Sequence, residues 1–248
     1  MATMETPEAR TSRAPGRLTR ALIRLTMKRA TVTANEALAD RFRLITLEGP
    51  GLVDVAWTPG QKIQVAMGSA FVARTYTPIA WNAATGRTCF LGYAHGTGPG
   101  SDWLRAAVPG SSCDIFGPRA SLDIGRPSGP LAIFGDETSL GLAHALGQSS
   151  GMEAMTGFFE VEDVEASRSV AAQLDLQNYT LVGREAEDAH LSELETKLPA
   201  LANAGATFVL TGKAGSTQRI CRTLKSLQVP SRRIRTKAYW TPGKTGLD

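Results

Sequence analysis

The chain is expected to fold as an antiparallel β-barrel followed by an α/β part built on a parallel sheet, and three observations lead there. Up to about Ile115, short strand-like stretches are separated by turn residues at the spacings of a small barrel. Residues Pro118 to Gly129 then bring two prolines and two glycines together, the composition of a connection. Beyond them, apolar runs without alternation are separated by helical segments, as in a parallel sheet buried on both faces. A chain of 248 residues suits two units of about 100 to 130 residues each. The expected division is a basic arm at 1–27, the barrel at 28–125 and the α/β part at 126–248.

In order, Met1 to Gly16 mixes Thr, Ser, Pro, Glu and Arg without an apolar period and reads as a disordered leader. Arg17 to Arg29 carries five basic residues and no acid, with Leu18, Leu22 and Leu25 at helical spacing. It lacks the apolar core and small-residue cleavage site of a secretory signal, so an arm packing on the barrel is expected and no export. Strands are expected at Ala30–Thr33, Phe42–Leu47, Lys62–Met67, Phe71–Thr77 and Thr88–Ala94, with turns at Gly49-Pro50-Gly51, Pro59-Gly60 and Ala84-Thr85-Gly86. A six-stranded barrel closes such a set and hides its edges. Pro78 is expected to end its ladder, having no N–H to give.

In the second part the strands are Leu131–Phe134, Gly157–Val161, Tyr179–Val182, Thr207–Leu210 and Ile234–Tyr239. Helices are expected at Ser139–Leu146, Ala189–Leu201 and Ser216–Leu227, the last with Ile220, Leu224 and Leu227 as its apolar stripe. Ligands of such sheets sit at the carboxyl ends of the strands. That directs attention to Gly135-Asp136-Glu137-Thr138 and to Thr211-Gly212-Lys213-Ala214-Gly215, although the Gly-x-Gly-x-x-Gly dinucleotide string is absent.

Charge and cysteines exclude several classes. The net charge is only +4, yet seven Lys/Arg face two acids in residues 1–30 and nine face one in 211–248, leaving the middle at −9. Basic ends attract an anionic substrate, a cofactor phosphate, nucleic acid or an acidic membrane surface. Cys89, Cys113 and Cys221 are far apart, which rules against an iron–sulfur cluster or structural zinc and favours a reducing cytoplasm. His144 and His190 show no ligand spacing with His95, so no metal site is expected. No apolar run approaches the roughly 18 residues a membrane span needs, so stable insertion is not expected either.

One stretch organises the rest, Arg74-Thr75-Tyr76-Thr77-Pro78. On a strand, Arg74 and Tyr76 share one face and Thr75 and Thr77 the other. A guanidinium, a phenol ring and a hydroxyl so arranged suit a flat, phosphorylated cofactor such as a flavin dinucleotide; a barrel strand with ordinary surface residues is the plainer alternative. Downstream, His95-Gly96-Thr97-Gly98-Pro99-Gly100-Ser101 runs into Asp102-Trp103-Leu104, a glycine-rich loop opening a helix. The unpaired N–H groups and the dipole of a helix start accept a pyrophosphate.

Arg74-Thr75-Tyr76-Thr77 resembles the flavin-binding strand of the ferredoxin reductase superfamily. With the His95–Trp103 run, Phe116-Gly117-Pro118-Arg119, Gly135-Asp136-Glu137-Thr138-Ser139-Leu140 and Ala238-Tyr239-Trp240, in that order from about Lys28 to Gly243, the chain resembles the siderophore-interacting proteins. These are bacterial FAD-dependent ferric-siderophore reductases. The resemblance implies FAD as cofactor, NAD(P)H as electron donor and an anionic ferric siderophore as substrate; a monomer that binds no nucleic acid is expected beside it.

It also implies roles. Arg74 would meet the pyrophosphate, Tyr76 the flavin or its ribityl chain and Thr77 the ring edge, with Thr75 beside them. Thr97, Gly98 and Ser101 would meet phosphate oxygens, His95 would shape the turn or touch the flavin, and Trp103 would complete that side. Tyr239 and Trp240 would cover the flavin or the chelate. Thr77, Asp136 and Thr138 are the expected catalytic residues, and Lys62, Arg235, Lys237 and Lys244 the expected contacts to the ferric complex. Gly141 stands where relatives commonly have proline and Lys213 where they commonly have an acid, which leaves NADH against NADPH open. Two other readings stand beside this one: a general NAD(P)H:flavin or quinone oxidoreductase on the same scaffold, and a nonenzymatic anion-binding protein.

Overall fold

The computed structural model describes residues 27–67, 72–125, 127, 129–149 and 154–243. The basic arm up to residue 26, Phe71 and Lys244 lie outside the described residues. No helix among them is long and apolar enough to cross a membrane.

Seven antiparallel strands form the first sheet: β1 (Lys28–Ala39), β2 (Phe42–Glu48), β3 (Lys62–Ala66), β4 (Ala73–Tyr76), β5 (Pro78–Asn82), β6 (Arg87–Tyr93) and β7 (Ser112–Arg119), in the order β4-β3-β7-β1-β2-β6-β5. Alternation drives them: β3 turns Ile63 and Val65 inward, and β2 buries Ile45 and Leu47 on the same core as Phe90 and Ile115. β1 is longer than expected and pairs with both β2 and β7, bending through register shifts at Val32/Ala34 and Ala37/Ala39.

The count of six strands is corrected to seven. The two edge strands, β4 and β5, are separated in the chain by Thr77 alone, so the backbone itself links the two edges of the sheet. Pro78 does not end a ladder; it begins β5, opposite Phe90, where the first residue of a strand needs no N–H. Helix α1 (Pro99–Ala106) packs on this core through Leu104, whose methyl groups lie where a Cβ on Gly92 would be, 2.4 Å away.

The second sheet is parallel, with β8 (Leu131–Asp136), β9 (Met155–Val161), β10 (Tyr179–Gly183), β11 (Thr207–Lys213) and β12 (Ile234–Trp240) in the order β10-β9-β8-β11-β12. On one face α2 (Leu140–Gly147) and α3 (Val164–Gln173) cover Ile133, Phe159 and Val209. On the other, α4 (Leu191–Glu195), α5 (Leu198–Asn203) and α6 (Ala214–Ser226) cover Phe134, Phe158 and Phe208. The single helix expected over 189–201 is two, because Pro199 in the first turn of α5 cannot continue the hydrogen-bond ladder of α4. Helix α3 carries a start signal of its own, Asp163 accepting from Ala166 N at 2.9 Å.

The two sheets share a core. Phe42, Ile79 and Leu91 of the barrel belong to the cluster that contains Leu140, Leu142 and Leu146 of α2. Gly141 makes the approach close: a Cβ there would lie 2.9 Å from Ile79 Cγ2 and 3.2 Å from Leu91 Cβ. An ion pair between Arg41 and Glu162 at 2.6 Å and a bond from Gln173 Nε2 to the Leu38 carbonyl at 2.9 Å tie the rim of this contact.

Candidate functional site

A cleft of about 290 Å³ lies between the barrel and the carboxyl ends of the parallel strands. The barrel contributes Lys62 from β3, Ala73 to Thr77 from β4 and its exit, and Leu91, Tyr93 and His95 from β6 and the following turn. Thr97 to Ser101 come from the glycine-rich loop and α1, and Thr138, Gly141, Leu142, Lys237, Tyr239 and Trp240 from the parallel-sheet side. Every residue from Ala73 to Thr77 reaches the cleft, not only one alternating set, because β4 is an edge strand with a single hydrogen-bonded neighbour.

The cleft combines a helix start with a cationic side chain. Helix α1 begins at Gly98 without a side-chain cap, which leaves its first N–H groups open. Its first turn rests on Arg74: a Cβ on Gly100 would lie 2.9 Å from Arg74 Cγ and 3.4 Å from the Tyr76 hydroxyl oxygen. Gly96 (φ 62°) and Gly98 (φ 146°) hold conformations that L side chains rarely adopt, and a Cβ on either would meet nothing within 4 Å. The loop is therefore an open cradle beside a guanidinium. Ser101, buried, donates its hydroxyl to the His95 carbonyl at 2.9 Å, which shapes the turn.

The cleft lining is also aromatic. Tyr76 stacks on Phe90 at 4.3 Å between centroids, and burial drives its hydroxyl pKa upward. Tyr239 hydrogen-bonds Thr77 across the two halves of the fold, and burial pushes its pKa up to about 12 against that bond. Trp240 lies 5.7 Å from the His95 ring, and His95 6.2 Å from Tyr93. Two successive residues, Tyr239 and Trp240, both face the cleft because β12 slips there: Ala238 pairs with Gly212 and Trp240 with Lys213, leaving Tyr239 as an extra residue.

Behind this wall are buried charges. Asp136, fully buried, accepts from Trp240 Nε1 at 2.6 Å through Oδ2, and from Thr138 N at 2.9 Å and Thr138 Oγ1 at 2.5 Å through Oδ1. Glu137, also buried, takes both nitrogens of Arg184 at 3.0 and 2.5 Å and the Glu162 N–H at 2.6 Å. At the ends of the neighbouring strands, Lys213 pairs with Asp188 at 2.5 Å.

Burial raises the pKa of Asp136 above its ordinary value, against the bonds from Thr138 and Trp240 and the charge of Arg184. A carboxyl whose folded pKa is raised contributes stability that is complete at acid pH and is lost as pH rises through the folded value. Wild type should therefore lose stability relative to Asp136→Asn as pH is raised from below the ordinary carboxylate range. Paired urea titrations across that range check the sign; a difference independent of pH would contradict it.

Of the expected residues, Arg74, Thr75, Tyr76, Thr77, His95, Thr97, Gly98, Ser101, Thr138, Tyr239, Trp240, Lys62 and Lys237 are brought together around the cleft. Four are not. Asp136 is sealed behind Trp240 and Thr138, so it reaches no reacting atom directly. Trp103 packs against the barrel core, 6.4 Å from the Phe90 ring. Arg235 spends its guanidinium on the carbonyls of Asp123 and Arg232, at 3.0 and 2.7 Å, and Lys244 lies outside the described residues.

Tyr93 was not anticipated, although its spacing of two from His95 at a strand end was a usable signal. Burial pushes its pKa up to about 12, with the Glu137 charge adding to the rise. Nor were Glu137 and Arg184, separated by 47 residues, legible as a pair. Glu160, Asp188 and His190 bring ligand atoms within 4.8 Å of one another. His190 is already committed, however: its Nδ1 accepts from Glu185 N at 3.1 Å, which leaves Nε2–H to donate to Glu160 at 2.6 Å.

Residues 17–122 match the family model of the siderophore-interacting FAD-binding domain, and residues 130–243 match that of the siderophore-interacting protein. Among solved structures, a siderophore utilization protein from T. fusca is similar at a TM-score of 0.70 and 20% identity, over 90% of this chain and 95% of that one. The siderophore-interacting protein SipS from Aeromonas hydrophila is similar at 0.69 and 21%, over 89% and 93% of the two chains. The ferredoxin reductase of a carbazole 1,9a-dioxygenase is similar at 0.72 and 19%, over 86% and 68%. Comparison with curated protein sequences gave no match.

Proposed function

We propose that this chain, which belongs to the siderophore-interacting protein family, is an FAD-dependent ferric-siderophore reductase that takes its electrons from NAD(P)H. The observation that carries the reading is the uncapped start of α1 resting on Arg74 in a cleft that Tyr76, Tyr239 and Trp240 also line. Those residues fit FAD: a cradle with an adjacent guanidinium for the diphosphate, and a flat aromatic slot for the ring system. FAD, when bound, supplies the conversion from a two-electron donor to a one-electron acceptor.

The protein's part is to hold and to orient. Arg74 and the N–H groups of the first turn of α1 bind the diphosphate. Thr77, bonded to Tyr239, is positioned to offer its hydroxyl to the ring edge, and Thr138 approaches from the parallel-sheet side. Lys62 and Lys237 on the cleft lining draw in an anionic ferric complex. Anionic oxygen donors hold Fe(III) more tightly than Fe(II), whose lower charge weakens the attraction, so reduction releases the iron without protein ligands to it. The three thiols are unpaired, in keeping with the reducing cytoplasm, where we place a monomeric enzyme.

The purified protein should be yellow, bleach on addition of NAD(P)H and recover its colour when a ferric siderophore is added. Hydroxamate and catecholate ferric siderophores should turn over faster than ferric citrate. Equal rates on all three would reject the siderophore assignment, and colourless protein that takes up no added FAD would reject the flavin.

A further inference from the structure

Asp136 does not itself line the cleft, yet two of the lining residues end on it. Its Oδ2 takes the indole N–H of Trp240, 104 residues away, and its Oδ1 takes both the N–H and the hydroxyl of Thr138. Room for that carboxylate is provided by Gly212 on β11: φ there is +88°, and a Cβ would lie 2.5 Å from the carboxylate carbon. Three neighbouring strand ends, those of β8, β11 and β12, are therefore shaped around one side chain. Arg184 supports it from behind, 3.9 Å from Oδ2 and with its guanidinium carbon 5.7 Å from the centre of the Trp240 ring. Trp240 also meets His95 of the barrel, 5.7 Å between ring centroids.

Resting on the flavin reading above, we propose that Asp136 is a positioning residue that tethers the Trp240 indole and so fixes the aromatic wall against which the isoalloxazine ring is received. A tryptophan at a strand end has two side-chain torsions to set, and packing against His95 leaves the sense of the ring open. A charge-assisted bond of 2.6 Å to a carboxylate that is itself held by Thr138 selects one orientation. The same carboxylate holds the Thr138 hydroxyl beside it, so the two parts of this wall move together or not at all. Asparagine at 136 keeps a single acceptor oxygen, for either the Trp240 indole or Thr138, and turns its NH2 on the other, whereas alanine offers no acceptor at all.

The test has a structural and a binding arm, both on the full chain. With tryptophan indoles labelled with 15N, the four ring N–H signals are counted, and Trp240→Phe identifies that of Trp240. Its hydrogen exchange should be slow in wild type and fast in Asp136→Ala. Titration with riboflavin, which has the ring and no phosphate, should show affinity reduced about tenfold in Asp136→Ala and in Trp240→Phe, the size of one lost hydrogen bond to a charged group. The double variant should be no worse than either single one.

An exchange rate unchanged by Asp136→Ala overturns the tether. So do riboflavin affinity unchanged in Trp240→Phe and additive losses in the double variant. If Asp136→Ala does not fold, riboflavin titration of Trp240→Phe still decides the matter, since it removes the donor and leaves the carboxylate in place. Failure of ferric reduction in a protein that binds flavin would sink the functional reading alone, because neither arm requires turnover.

Discussion

Replacing Arg184 with methionine is expected to destabilise the protein by about 3 to 5 kcal/mol, the usual consequence of leaving a buried charge without its partner. The side chain to be abandoned is Glu137, 1% exposed, which now receives two guanidinium nitrogens and one backbone N–H. Desolvating a carboxylate costs several kcal/mol, and the Glu162 N–H alone does not compensate it. Removing both charges should be milder: Arg184→Met with Glu137→Met leaves the Glu162 N–H unpaired, about 1 to 3 kcal/mol, and takes a 3.3 Å bond from the Glu160 carbonyl and a countercharge from Asp136, but strands no carboxylate at 137. Urea denaturation of the two variants beside wild type checks the order. The double variant should lie between wild type and Arg184→Met, and a single variant within about 1 kcal/mol of wild type would show that the pair is not what holds this corner.

That corner also shows what a sequence conceals. The barrel strands were legible because alternation is local: Ile63 and Val65 point inward whatever the partner strand turns out to be. The parallel sheet was legible from unbroken apolar runs such as Leu131–Phe134 and Thr207–Leu210, all buried. Arg74 to Thr77 and the loop from His95 to Ser101 were legible as one site because each carries its own chemistry in consecutive residues. By contrast, the partner of Glu137 and the role of Asp136 depend on which strand ends meet, and strand order is not written in local periodicity. The slip in β12 that turns Tyr239 and Trp240 to the same side is likewise decided by pairing with Gly212 and Lys213. The split at Thr77 was hidden for a related reason: Pro78 lacks a donor whether it closes one strand or opens the next, and the choice falls to the barrel's need to join its two edges.

Arg74→Ala should weaken FAD binding by about 1.5 to 3 kcal/mol, the value of a hydrogen bond to a charged group, or roughly ten- to 150-fold in Kd. The aliphatic stem of Arg74 packs under the first turn of α1, and its Nη1 is held by the Ala73 carbonyl at 2.8 Å, so its aim does not depend on the ligand. Lysine at this position keeps the charge and loses the planar fork, and should recover only part of the affinity. Riboflavin separates this effect from damage to the cleft as a whole. Lacking phosphate, it should bind Arg74→Ala nearly as it binds wild type, the reverse of the pattern expected for Trp240→Phe. Titration of the flavin-stripped protein, followed by quenching of flavin fluorescence, measures all of these. FAD affinity unchanged in Arg74→Ala would remove the diphosphate from this part of the cleft, and equal losses for FAD and riboflavin would make Arg74 a support for the strand rather than a ligand.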